Sequence, residues 1–162
     1  MNVVVADACP VIFLAKLDRL ALIREVFPGT ILLPSSVFHE LTRKDNALHE
    51  RGRILKHCRV ETVRSLGFAV SALSLADGQV LTLAKKTRKS LILTDDGLVR
   101  RIAWAEGLPV AGTLGIIIRA VRAKLLTPSE ALRAVDELVA EHQLRISVDL
   151  YQETLRQIRQ PG

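Results

Sequence analysis

The stretch Ser90-Leu91-Ile92-Leu93-Thr94-Asp95-Asp96-Gly97 decides how the rest of the chain is read. Its short aliphatic run, without polar alternation, predicts a strand buried on both faces. The run ends in two carboxylates and a glycine, and a helix is expected from about Leu98 to Glu106. The same grammar recurs at the start, where Val3-Val4-Val5-Ala6 ends at Asp7. There Pro10 falls in the first turn of a helical pattern that continues through Glu25.

Working outward, Thr30-Ile31-Leu32-Leu33 predicts another strand, and Pro34-Ser35-Ser36 opens a helix carrying Val37, Glu40 and Leu41. The basic stretch from Arg43 to Arg59 reads as a helix, followed by a short strand over Val60–Val63. Ser74 starts a helix through Lys86, and Pro109-Val110-Ala111 makes a short strand before Gly112. From Leu114 to Arg159 the pattern is helical, with Pro128 and Ser147 marking helix starts. Strands alternating with helices imply right-handed crossovers and a parallel sheet covered on both faces. The expected fold is therefore a single-domain, three-layer α/β/α unit over 1–162, with C-terminal helices at about 128–159 packed on it.

Composition agrees with this class. The chain has 162 residues, 49% hydrophobic but only 4% aromatic, so the core must be aliphatic. Two cysteines, Cys9 and Cys58, make no disulfide framework and suit a reducing compartment. No apolar run approaches the ~18 residues of a membrane span. Asp7 interrupts the N-terminal apolar segment, so no signal peptide is expected, and the expected location is cytoplasmic. Lys and Arg number 23 against 17 Asp and Glu, a net charge of +6 that points to a polyanionic partner.

In open parallel sheets, sites form beyond the carboxyl ends of the strands. Asp7, Asp95 and Asp96 follow strands directly, while Glu40 and Asp77 lie early in helices that leave the same edge. Each also has a structural reading: Asp7 and Asp96 as helix caps, Asp77 as the partner of Ser74 in a capping box, Glu40 as a solvated helix residue. Clustered carboxylates repel, and a cation resolves that repulsion. All-oxygen donors select Mg²⁺ or Mn²⁺ over zinc. The histidines His39, His49, His57 and His142 have no ligand spacing and are expected at the surface. Gly112-Thr113-Leu114-Gly115 lacks the remainder of any nucleotide-binding loop. Basic residues Lys85, Lys86, Arg88, Lys89, Arg100 and Arg101 are expected to flank the acids as a phosphate rail.

Four blocks in order resemble the PIN-domain family: Val-Ala-Asp7-Ala-Cys-Pro-Val-Ile, Leu-Pro-Ser-Ser-Val-Phe-His-Glu40-Leu, Leu-Ser-Leu-Ala-Asp77 and Leu-Ile-Leu-Thr94-Asp95-Asp96. Gly112-Thr113-Leu114-Gly115 is similar to a segment in one branch of predicted nucleic-acid-binding proteins. The resemblance runs from Val3 to about Leu155. It implies a Mg²⁺- or Mn²⁺-dependent ribonuclease, a hydrolase of RNA phosphodiester bonds, of the kind that serves as the toxin of a toxin–antitoxin pair. The implied metal-binding acids are Asp7, Glu40, Asp77 and Asp96, with Asp95 accessory and Thr94 and Thr113 orienting carboxylates. Implied partners are RNA, a cognate antitoxin and a second copy in a homodimer, with no membrane. Two positions depart from the family pattern, Cys9 for a serine and Gln79 for an acid. Gln79 is expected to point away from Asp77, so its removal should barely change metal affinity or cleavage. The alternative reading is a non-catalytic PIN-like module that binds nucleic acid or protein with a weakened metal site.

Overall fold

The computed structural model describes residues 3–43, 47–68 and 72–160, with the side chains of 47–50 left out. His49 therefore lies outside the described side chains. Five parallel strands form one sheet in the order β3-β2-β1-β4-β5: β1 Val3–Ala6, β2 Thr30–Pro34, β3 Arg59–Glu61, β4 Ser90–Leu93 and β5 Val110–Ala111. Between and after them run α1 Ala8–Lys16, α2 Leu22–Val26, α3 Ser35–Leu41, α4 Ala47–His57, α5 Leu75–Lys86, α6 Gly97–Ala105, α7 Thr113–Arg122, α8 Pro128–Ala140 and α9 Val148–Arg159.

The central strands are aliphatic because both their faces are covered. All of β4 is buried, as are the last three residues of β1. α5 packs against β1, β2 and β4, while α1 and α2 meet α7, which carries α8 and α9. Fully buried Leu14, Leu33, Leu81, Ile92, Ile116 and Leu138 come from all these layers, so one aliphatic core runs through the sheet. This is the α/β/α architecture with a parallel sheet that the strand–helix alternation predicts.

Local signals set the element starts. Ser74 and Asp77 form a complete capping box on α5, and Thr127 with Glu130 forms another on α8, whose first residue is Pro128. Ser147 caps α9. The expected single helix through Glu25 is in fact two. The chain breaks after Lys16, with Asp18 in the left-handed region at φ 55. An aspartate tolerates that conformation better than most residues, so the break costs little. The short third strand covers 59–61 rather than 60–63.

Because β1 and β4 are neighbours that lead to opposite sides of the sheet, their carboxyl ends form its topological switch point. Asp7 and the Asp95-Asp96 pair sit there.

Candidate metal centre

Asp7 is the best-defined residue of the acidic edge. It is buried, 6% exposed, although it directly follows the central strand. Its Oδ1 accepts a hydrogen bond from the Ala8 amide at 2.7 Å, which caps α1. Its Oδ2 accepts from Thr94 Oγ1 at 2.8 Å. Thr94, itself fully buried, also accepts from the Asp96 amide at 3.1 Å. An amide only donates, so the hydroxyl proton of Thr94 is committed to Asp7. One threonine thus ties the ends of β1 and β4 together.

Burial pushes the Asp7 carboxyl up to about 6, partly countered by its bonds to Thr94 and Ala8 and reinforced by the negative fields of Asp77 and Glu40. Those two acids come from α5 and α3, so two separate helices act on one carboxylate. Cys9 senses the same field. Its thiol is pushed up to about 12 by desolvation first, and then by Asp7, Asp95, Glu40 and Asp96. A thiol so disfavoured as a thiolate is no nucleophile at neutral pH.

The other acids are engaged in different ways. Asp96 caps α6, its Oδ1 accepting from Leu98 and Val99 amides at 2.7 and 2.8 Å. Asp77 Oδ2 accepts from the Ser74 amide and hydroxyl at 3.0 and 2.7 Å. Among the described residues, Asp96 Oδ2 and Asp77 Oδ1 carry no hydrogen bond. Glu40, expected early in its helix, is instead exposed on the last turn of α3, because that helix ends at Leu41. Asp95 turns the other way. Its Oδ1 and Oδ2 accept from the amide and hydroxyl of Thr113 at 2.8 and 2.6 Å, across to the start of α7. Gly112 is needed beside it, since a Cβ there would lie 2.5 Å from Asp95 Oδ1. Burial raises the Asp95 carboxyl, while Thr113 and the Arg100 guanidinium hold it down.

A matching model of the PIN-domain family, DUF3368, spans residues 3–160. The chain belongs to the PIN-domain family. No curated protein matches it. A domain of a functionally unknown protein from Methanocaldococcus jannaschii DSM 2661 is similar at 22% identity, with a TM-score of 0.48 over 69% of this chain and 91% of that chain.

PIN domains are typically nucleases that use divalent metals. In this PIN domain the donor set fits a hard divalent ion in kind. The field at Asp7 is that of the Asp77 and Glu40 carboxylates, which offer only oxygen donors. The set is not gathered into a closed cage. Among the described residues, no three His, Cys, Asp or Glu side chains form a group that would hold one ion. The capping duties of Asp77 and Asp96 hold their carboxylates to their own helix starts.

Gln79 does point elsewhere than Asp77, but into a structural role that its sequence position does not reveal. It is buried, and its Oε1 accepts from Ser36 Oγ at 2.7 Å while its Nε2 donates to the Val63 carbonyl at 3.3 Å. It therefore clamps the start of α3, which carries Glu40, to α5, which carries Asp77. Its spacing from Asp77 signals only direction, and the partners come from distant segments.

The expected basic rail divides in two. Arg100 and Arg101 lie early in α6, at the acidic edge, and Arg100 Nη2 donates to the Thr94 carbonyl at 3.0 Å. Lys85, Lys86, Arg88 and Lys89 precede β4 and so occupy the opposite edge of the sheet. There Lys85 pairs with Glu106 at 2.6 Å and Lys86 donates to Ser65 Oγ at 3.2 Å. The correction is topological: in a parallel sheet, residues before a strand and residues after it sit at opposite edges.

Proposed function

We propose that this PIN domain is a Mg²⁺- or Mn²⁺-dependent ribonuclease acting on RNA phosphodiester bonds. The observation that carries the reading is Asp7, a buried carboxylate at the end of the central strand, raised to about 6 and flanked by the fields of Asp77 and Glu40. A group kept in that environment, with no cation paired to it among the described residues, is poised to take a metal ion. Asp7 would hold the ion, with Glu40 and the unbonded oxygens of Asp77 and Asp96 turning towards it as it binds, and Thr94 and the Ala8 amide would orient Asp7. Asp95 is assigned to the Thr113 tie rather than to the ion. A divalent ion in such a site supplies Lewis acidity at the phosphate and at the attacking water. The protein's own part is to fix the carboxylates before substrate arrives and to neutralise flanking phosphates with Arg100 and Arg101.

The test is cleavage of end-labelled single-stranded RNA by purified protein with Mn²⁺ or with EDTA, alongside Asp7→Asn. Cleavage that needs metal and vanishes in Asp7→Asn supports the reading; cleavage that survives the substitution overturns it. As the toxin of a cytoplasmic toxin–antitoxin pair, the protein would arrest growth on induction, and Asp7→Asn would not. A homodimer is read from the sedimentation coefficient of the purified chain.

A second reading is favoured by the capping box, which holds Asp77 at the start of α5. On it the chain is a non-catalytic PIN module that binds nucleic acid or protein. Titration calorimetry separates the two, because only the enzyme reading requires Mn²⁺ binding that depends on Asp7.

A further inference from the structure

A second feature opens beside the acidic edge and is not used by the metal centre. Between α6, β5, α7 and the turn into α9 lies a groove of about 490 Å³. One end is formed by Asp95 and Gly112, next to Asp96; the other reaches Trp104 at the end of α6. Trp104 is the chain's one tryptophan and is 60% exposed. The Arg100 guanidinium lies 5.8 Å from its ring centroid, over one face.

The charge of the groove is set by which groups are already spent. Its two carboxylates are Asp95 and Glu153. Asp95 is taken by Thr113, and Glu153 accepts from Arg156 at 2.8 and 2.7 Å. Of its three guanidiniums, Arg100 offsets Asp95, while Arg119 and Arg145 have no carboxylate partner among the described residues. Arg119 stacks on Phe27 at 5.1 Å instead. The lining is therefore cationic and asks for an anion.

Resting on the ribonuclease reading, we infer that this groove takes the single-stranded flank of the RNA substrate, with one unpaired base stacked on Trp104 and phosphates on Arg119 and Arg145. Three properties favour RNA over an acidic peptide. The groove ends at Asp95, the residue next to Asp96 at the sheet edge where a phosphodiester would be cut. Arg100 lies between the two, its guanidinium donating to the Thr94 carbonyl and placed over the Trp104 ring. The exposed aromatic surface offers a stacking platform that carboxylates do not use and every base does.

The single tryptophan supplies the test. The full chain, in EDTA so that no cleavage occurs, is titrated with a ten-nucleotide oligoadenylate and with a ten-base-pair RNA duplex while Trp104 emission is recorded. The single strand should quench the emission saturably and the duplex should not. Binding of a fluorescein-labelled oligoadenylate should weaken roughly tenfold in Trp104→Ala. Arg119→Ala and Arg145→Ala should each lower the slope of log affinity against log salt by about 0.7. Binding without quenching, and unaffected by these three substitutions, overturns the proposal. So does displacement of the oligonucleotide's quenching by a Glu-Leu decapeptide that binds the groove more tightly. The outcome is separable from the nuclease reading: Asp7-dependent cleavage with no quenching refutes the groove alone, whereas quenching with cleavage that survives Asp7→Asn refutes the metal site alone.

Discussion

Asp7 and Asp95 are the same device in two settings. Each is the first residue or nearly the first after a buried strand, and each is held by one threonine hydroxyl and one backbone amide. Burial raises both. Their charged neighbours differ in sign. Asp7 faces Asp77 and Glu40, which raise it further, whereas Asp95 faces Arg100, which lowers it. A carboxylate compensated within the protein is a structural tie. One surrounded by other carboxylates is incomplete until a cation arrives. Strand-end position alone does not separate the two; the sign of the neighbouring charge does.

The largest consequence of that difference concerns cleavage. Asp7→Asn should reduce Mn²⁺-dependent RNA cleavage by more than the roughly 10–100-fold that loss of a ligand-orienting partner costs. Thr94→Val, which removes such a partner from Asp7, should fall inside that range. Asp95→Ala should leave cleavage within a few-fold of the parent while lowering stability by about 1–2 kcal/mol, because the Thr113 donors lose their acceptor. Equal losses of cleavage in Asp7→Asn and Asp95→Ala, measured on folded protein, would erase the distinction between the two aspartates.

The pH dependence of stability sharpens it. In metal-free protein, Asp7 ionises near 6 when folded and near its ordinary 3.8 when unfolded. Below 3.8 the carboxyl is neutral in both states and costs nothing. As pH rises towards 6 the unfolded chain gives up this proton first, so the folded state loses stability, by on the order of 3 kcal/mol in total. Above 6 the loss is complete and constant. Asp95 contributes a slope of the same sign, opposed by Arg100. Urea unfolding in EDTA at pH 4.5 and pH 7, compared between the parent and Asp7→Asn, isolates the Asp7 part. A parent–variant difference that does not change with pH would mean Asp7 is not raised.

Metal should reverse that loss. On the enzyme reading Mn²⁺ would bind the folded cluster and not the unfolded chain, so a hundredfold excess over its dissociation constant would stabilise by ~2.7 kcal/mol. The melting temperature should rise in the parent and in Asp95→Ala, and stay flat in Asp7→Asn. A flat response in the parent would favour the non-catalytic module.

Much of this was legible in the sequence because it depends on local order. The runs Val3–Ala6, Thr30–Leu33 and Leu91–Leu93, each followed by a helix signal, fix a parallel sheet and therefore the edge at which Asp7, Asp95 and Asp96 emerge. Ser74 and Asp77 announce their capping box by spacing alone. What could not be read depends on distant partners. Nothing near Asp95 in the chain indicates that its partner is Thr113, eighteen positions on, or that Lys85 is bound to Glu106 at the far edge. The break at Asp18 is likewise hidden, since the apolar pattern continues across it. The groove along β5 needs α9 to fold back onto α7, which no local pattern states.

Gln79 gives the smallest and most discriminating prediction. It lies in the buried run Gly78–Ala84 of α5, and Asp77, two residues earlier, belongs to the acidic edge. Gln79→Ala removes an acceptor from Ser36 and a donor from the Val63 carbonyl, in a site too enclosed for water to replace both freely. The expected cost is about 1–2 kcal/mol of stability, measured by urea unfolding. Were Gln79 only a lost ligand, stability would not change. Because the clamp joins α3 to α5, its removal also loosens Glu40 relative to Asp77, and Mn²⁺ affinity should fall by a few-fold while the Asp7–Thr94 bond stays in place. Gln79→Glu sharpens the outcome further: a carboxylate can still accept from Ser36 but cannot donate to Val63. It should recover part of the stability lost in Gln79→Ala. Recovery of Mn²⁺ affinity beyond the parent would instead show that residue 79 faces the ion, and that the clamp is not its role.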